Sequence, residues 1–316
     1  MQLAALAAHL ERYSVADWAA AVDLLSASMH EIDRTATKIW FAFFPLSLHL
    51  ALEQADDPAA VVRRLELMGK WRLADQIDGS HRFLFAHRYW PQVKSAVQAH
   101  AGDAFESLPP LITAIADASA RTARVDREVL LGMSAVALMT LRQVGVGAFA
   151  AAPGTIQISQ EARVRSAQQV IGRRARNDWQ GPLGFLRGNR KLWTITFDEN
   201  EPGASFSCIS DQEIASAAQS DKRDYRSRDV RCTPNEGPIP VECRAASCGT
   251  CWVGVLGGAD KLSPVVERDE GRRMKVFGYV DTNDPQPIIR LACQARAYGA
   301  VSIVIPPWNG FIGKIT

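Results

Sequence analysis

One nine-residue run constrains this chain more than any other stretch. Cys243-Arg244-Ala245-Ala246-Ser247-Cys248-Gly249-Thr250-Cys251 sets three thiols at C-x4-C-x2-C spacing. A fourth, Cys293, stands in Arg290-Leu291-Ala292-Cys293, with 41 residues between it and Cys251. All six cysteines lie after residue 207, and all six histidines (His9, His30, His49, His81, His87, His100) lie before residue 101. The chain therefore reads as two regions of different chemistry.

The reason for such a run is local. Three thiolates in one tight loop reach two irons, and the small residues Ala245, Ala246, Ser247 and Thr250 leave room for inorganic sulfide. Gly249 permits a positive φ. Loop N–H groups, with the hydroxyls of Ser247 and Thr250, are candidate donors to the sulfurs. Cys293 arrives from a distant strand and closes the set. The spacing is that of the plant-type [2Fe–2S] site. Structural zinc ordinarily uses two paired knuckles, and Cys293 has no C-x2-C mate. A disulfide set does not suit a reducing compartment. Cys208 reads as a packed hydrophobe and Cys232 as a surface or half-buried thiol in a basic loop.

The periodicity around the run is that of an α+β unit. From Lys191, Leu192, Thr194 and Thr196 alternate with Trp193, Ile195 and Phe197, which predicts a strand. Asn200-Glu201-Pro202-Gly203 predicts a turn and 204–209 a second strand, making a hairpin. A short helix is expected over 211–219, and strands over 253–256 and 301–305. Residues 191–307 thus resemble a plant-type [2Fe–2S] ferredoxin domain, the β-grasp fold: hairpin, helix, cluster loop 241–251, strand and last ligand follow in that order. The resemblance implies that Cys243, Cys248, Cys251 and Cys293 are the four metal ligands of a [2Fe–2S] cluster. It also implies one-electron transfer between protein partners. Diffusing plant ferredoxins are strongly acidic, whereas residues 191–316 carry 15 Lys/Arg against 16 Asp/Glu. A dedicated partner or fixed subunit of a larger oxidoreductase fits that balance better.

Residues 1–155 read as an all-α helical domain. Ser14 and Asp17 are spaced to cap one helix, and Asp57-Pro58 opens another that Gly69 ends. A helix entered near His81 and kinked at Pro91 is expected over 83–97. Asp126 opens an apolar helix over 129–141. Residues 156–190 read as a basic polar helix (159–180) and a Gly/Pro linker, a hinge or a docking strip for an acidic partner. From Arg163 to Lys191 it holds eight basic residues and one acid, Asp178. The whole is multidomain: a helical region, a connector and, over 191–316, the ferredoxin-like domain.

Three further expectations bound the function. A net charge of +2 argues against a nucleic-acid partner. The apolar runs 39–52 and 129–152 are interrupted by Pro45 and His49, and by Arg142 and Gln143, and read as core helices with no transmembrane segment. No targeting segment precedes them, so a cytoplasmic chain is expected, free or beside a membrane-bound complex. Residues 1–155 hold no G-x-G-x-x-G, P-loop or C-x-x-C-H. Two readings of that region stay open. In one it docks the electron-transfer domain onto a hydrogenase, a dehydrogenase or a respiratory complex, with no catalytic residues in the chain. In the other the chain is a redox enzyme whose helices hold an unrecognised cofactor such as haem, with the histidines as its only candidate ligands.

Overall fold

A computed structural model describes residues 2–100, 106–177, 191–277 and 286–309. The Gly/Pro linker expected at 181–190 lies outside the described residues, as does Asp178. The helices are α1 (Gln2–Leu10), α2 (Val15–Ser26), α3 (Glu31–Phe43), α4 (Leu46–Glu53), α5 (Pro58–Arg64), α6 (Trp90–Ala99), α7 (Leu108–Ala123), α8 (Arg127–Ala151), α9 (Gln160–Arg163), α10 (Ala167–Arg173), α11 (Ile214–Ala218) and α12 (Arg272–Phe277). The strands are β1 (Leu192–Thr196), β2 (Ser205–Ile209), β3 (Gln212–Glu213), β4 (Trp252–Gly257), β5 (Ile289–Leu291), β6 (Arg296–Ala297) and β7 (Val301–Val304). Helices therefore fill the N-terminal region and a mixed sheet follows. The chain divides into two compact units: Met1–Leu50 with Arg72–Ala167, and Ala51–Trp71 with Gln168–Thr316.

The first unit is organised around α8. Every residue from Val129 to Leu141 is buried, and α1, α3, α6 and α7 pack against this helix. Gly132 permits a close approach, because a Cβ there would overlap Thr37 Oγ1 on α3. Asp33 on α3 is 2% exposed, and its carboxylate accepts the N–H groups of Phe85 and Ala86, both at 2.7 Å, capping the 3-10 turn Phe85–Tyr89. Ser14 and Asp17 form the expected capping box, an arrangement whose cap alone stabilises a helix by about 1 kcal/mol. By length and hydropathy alone, 31–53 and 127–151 are apolar enough to cross a membrane, and 72% of the most apolar 18-residue window of the latter is buried inside the structure.

Several expected boundaries move. Pro91 does not kink a helix; it occupies the first turn of α6, where its missing N–H costs nothing. The α8 helix continues past Arg142 to Ala151, broken only by Gly145 at φ 76°. Asp57 does cap α5, accepting Ala60 N–H, but α5 ends at Arg64 and Glu66 turns left-handed at φ 48°. The polar helix expected over 159–180 is two short helices, α9 and α10.

The second unit carries a five-stranded sheet in the order β2-β1-β7-β4-β5, with β1 and β7 parallel and the other pairs antiparallel. Trp193 and Ile195 of β1 are buried and Leu192, Thr194 and Thr196 are not, as their alternation requires. A second small sheet pairs β3 with β6, and α11 packs on β2. Two other segments belong to this unit. Residues 66–70 run beside 307–309. Lys70 N–H donates to the Pro307 carbonyl at 2.8 Å, Gly69 bridges Trp308, and the Asn309 amide spans the backbone of Met68 and Glu66. Beyond α10, Arg174 makes a bidentate ion pair with Glu199, both bonds 2.9 Å, and Asn177 Oδ1 accepts Ala300 N–H. Part of the basic connector is thus bonded into the sheet unit.

Candidate metal centre

The run 241–251 forms an irregular loop entering β4. Three residues in it take left-handed backbone: Arg244 (φ 54°), Ala246 (φ 54°) and Gly249 (φ 72°). This winding turns successive N–H groups toward one sulfur. Ala245, Ser247 and Cys248 donate to Cys243 Sγ at 3.5, 3.3 and 3.2 Å. Gly249 is required twice over, for its φ and because a Cβ would overlap the Cε1 and Cζ atoms of Phe277.

The fourth cysteine is delivered by the sheet. Trp252, the first residue of β4, pairs with Leu291 of β5, and Ala292 N–H donates to the Cys251 carbonyl at 2.9 Å. Cys293 follows immediately. Its sulfur hydrogen-bonds the Cys251 sulfur and accepts the Ala246 N–H. The structure therefore brings together the four cysteines named by their spacing, as two pairs: Cys243 with Cys248 in the loop, and Cys251 with Cys293 across β4 and β5. Among the described residues, no three His, Cys, Asp or Glu side chains gather round one point as ligands of a single ion would.

The electrostatics favour thiolates at two positions. Burial opposes ionisation of Cys243, but hydrogen bonds from Ser247, Ala245 and Cys248 outweigh it and hold the thiol down at about 6. The hydrogen bond from Cys251 outweighs burial at Cys293 and holds it at about 7, with Gln294 and Ala246 adding to it. Cys251, as the donor in that bond and buried, is pushed well up. Thiolate is the ligating form, so a soft, donor-rich cradle for iron is what these residues offer. Cys243 and Cys248 are half-buried, Cys251 and Cys293 buried, and Ala245 and Ser247 are exposed beside them. One edge of the loop thus faces solvent.

The remaining cysteines are no part of this arrangement. Cys208 is fully buried in β2, and burial pushes its thiol up to about 12. Cys232 is 4% exposed, so it is a buried thiol and not the surface or half-buried one expected. Its S–H donates to the Pro238 carbonyl, and burial, with Asp229, pushes it up to about 11. Sequence reasoning also passed over a buried ion pair, Glu270 with Arg290, which no local pattern marks.

In the first unit, His81 and His87 do come together although their spacing suits no straight helix. Both are buried, with Nδ1 atoms 2.9 Å apart, and the His81 ring lies against Trp90, tilted by 54° with centroids 4.3 Å apart. His87 Nε2 accepts Gln157 N–H at 2.9 Å, so the ring carries its proton on Nδ1 and donates it to His81. Three of the four ring nitrogens are thereby used within the protein.

Comparison with known proteins agrees with the loop geometry. Residues 229–298 match the family model of the 2Fe-2S iron-sulfur cluster binding domain. No curated protein and no solved structure matches the chain. The stretch that holds all four paired cysteines therefore carries a 2Fe-2S iron-sulfur cluster binding domain, and the cofactor of that domain is a [2Fe–2S] cluster.

Proposed function

We propose that Cys243, Cys248, Cys251 and Cys293 are the cluster ligands of a β-grasp ferredoxin-like domain, and that the chain passes single electrons as a dedicated partner of a larger oxidoreductase. The observation that carries this reading is the two sulfur pairs, Cys243/Cys248 and Cys251/Cys293, which suit two irons with two thiolates each. A bound [2Fe–2S] cluster supplies one reversible electron at a time. The chain's own residues do the rest. The N–H groups of Ala245, Ser247 and Cys248 hold charge on Cys243, and the buried β4–β5 rung fixes Cys251 and Cys293. The exposed residues Ala245 and Ser247 mark the short path for an electron to a docked protein.

The near balance of acidic and basic residues supports a fixed partner over a diffusing carrier. A hydrogenase, a dehydrogenase or a respiratory complex is the class proposed, with the helical unit docking the cluster beside it and no catalytic residue in the chain. Free thiols suit a reducing compartment, so we place the protein in the cytoplasm. The test is direct. Full-length protein prepared without oxygen should contain two irons and two sulfides and give a rhombic EPR signal on reduction. Cys248→Ser should lose or destabilise the cluster, since a hard alkoxide replaces a soft thiolate. Full iron and sulfide in that variant would overturn the ligand assignment. Co-purification of the native protein with a large oxidoreductase tests the partner.

A further inference from the structure

Between β4 and β5 the chain makes an excursion whose described part ends in a short helix. The single π-turn Glu267–Gly271 leads into α12. Six residues do not hold a helix in water unaided. Two features hold this one. The first is aromatic. Phe277 is 1% exposed, and its ring lies against Gly249 so closely that no Cβ fits between them. The Trp252 indole meets the same ring edge-on at 5.3 Å. The ring thus covers the bend between Cys248 and Cys251.

The second is ionic. Glu270 is 1% and Arg290 2% exposed. Arg290 Nε and Nη2 donate to Glu270 Oε1 and Oε2, both at 2.9 Å, and Leu291 N–H donates to Oε1 at 2.6 Å. Burying two charges costs several kcal/mol per ion before their attraction is counted, and apolar residues of the same volume often serve stability as well or better. What such a pair does supply is placed charge. Its position bears this out. Leu291, which the carboxylate grips, is the rung partner of Trp252 and the neighbour of Ala292, whose N–H donates to Cys251. The pair therefore spans the two rungs next to Cys251, Trp252–Leu291 and Val253–Arg290.

We infer that the excursion Glu267–Phe277 is a cover for the cluster, in which Phe277 and the Glu270–Arg290 pair are positioning residues that exclude water and balance charge around it. This rests on the ligand reading above. Adding an electron adds negative charge, so an unpaired cation nearby favours the reduced form and an unpaired anion opposes it. The two halves of the pair thus act with opposite signs.

The experiment uses full-length protein, loaded and purified without oxygen. Iron and sulfide content of the unsubstituted protein comes first: absence of a cluster there sinks the ligand reading and not merely the cover. Potentials are then measured by EPR-monitored titration. Glu270→Gln should shift the potential up, Arg290→Gln should shift it down, and E270Q/R290Q should return it toward the starting value. Phe277→Ala should shorten the life of the cluster absorbance in air. If Arg290→Gln retains no cluster, E270Q decides alone: an upward shift cancelled in E270Q/R290Q supports the inference. Loaded variants whose potentials are unchanged, or both move the same way, overturn the charge role. An unchanged lifetime in Phe277→Ala overturns the cover.

Discussion

The hydroxyl of Thr250 lies 3.1 Å from Cys248 Sγ and accepts the backbone N–H of Glu242 at 3.2 Å. Because one lone pair is taken by Glu242, the hydroxyl proton is free to point at the sulfur. Thr250 thus ties the entry of the loop to its second cysteine. Donors to ligand sulfur stabilise the more negative, reduced state. Thr250→Val keeps the shape and removes the donor, so its potential should fall, whereas Thr250→Ser should stay near the parent. A titration showing Thr250→Val unchanged would remove Thr250 from the tuning set.

Gly249→Ala should be among the most damaging single-methyl additions in the loop. The left-handed φ costs about 1–2 kcal/mol for a residue with a Cβ, and overlap with Phe277 adds roughly 1–3 kcal/mol. A loss of about 2–5 kcal/mol in denaturant unfolding is expected. Gly249→Ala with Phe277→Ala should recover the overlap share and not the backbone share. Equal stability of the single and double variants would mean the ring yields freely.

Acid should destabilise the first unit through its histidines. Burial, then the Arg82 charge, lowers His87 from 6.5 to about 4, and burial with His87 lowers His81 well below 6.5. Both are therefore neutral when folded and take up protons on unfolding. Their contribution is complete above pH 6.5 and is lost as pH falls from there through about 4. For His87 alone the loss approaches about 3 kcal/mol. His87→Gln should flatten the stability profile in that window, as followed by chemical denaturation at fixed pH values. A profile as steep as the parent's would place the titration elsewhere.

A fragment that lacks residues 51–71 should have an incomplete sheet unit. The hydrogen bonds of Lys70 and Asn309 join 66–70 to 307–309, and typical bonds contribute about 0.5–1.5 kcal/mol each. A fragment spanning 168–316 should be destabilised by about 2–4 kcal/mol, and a peptide of residues 51–71 added to it should raise its Tm. No change in Tm with saturating peptide would show that the segment is dispensable.

What was legible in the sequence was what is encoded locally. The cysteine spacing, the Gly249 φ, the Ser14–Asp17 box, the Asp57 cap and the β1–β2 hairpin each depend on residues a few positions apart, where side-chain chemistry and backbone geometry act directly. What was not legible depends on partners distant in the chain. Arg174 is one basic residue among many until Glu199 is placed beside it. Glu270 and Arg290 look like surface charges until the turn Glu267–Gly271 is set against β5. Pro91 shows how a local rule misleads, since the same ring that breaks a helix interior is suited to a helix start. Cys232 lies in a basic stretch whose charges point elsewhere.

The pairing of residues 66–70 with 307–309 also sets an order of events during synthesis. Met68 and Asn309 are 241 positions apart. At translation speeds of roughly 5–20 residues per second, the first leaves the ribosome about 10–50 s before the second. Through that interval the early segment has no 307–309 segment to receive its N–H and C=O groups. The same open edge on another nascent chain is an equally good mate for a finished 307–309 segment, so crowded polysomes are where two copies of this protein have the opportunity to exchange it.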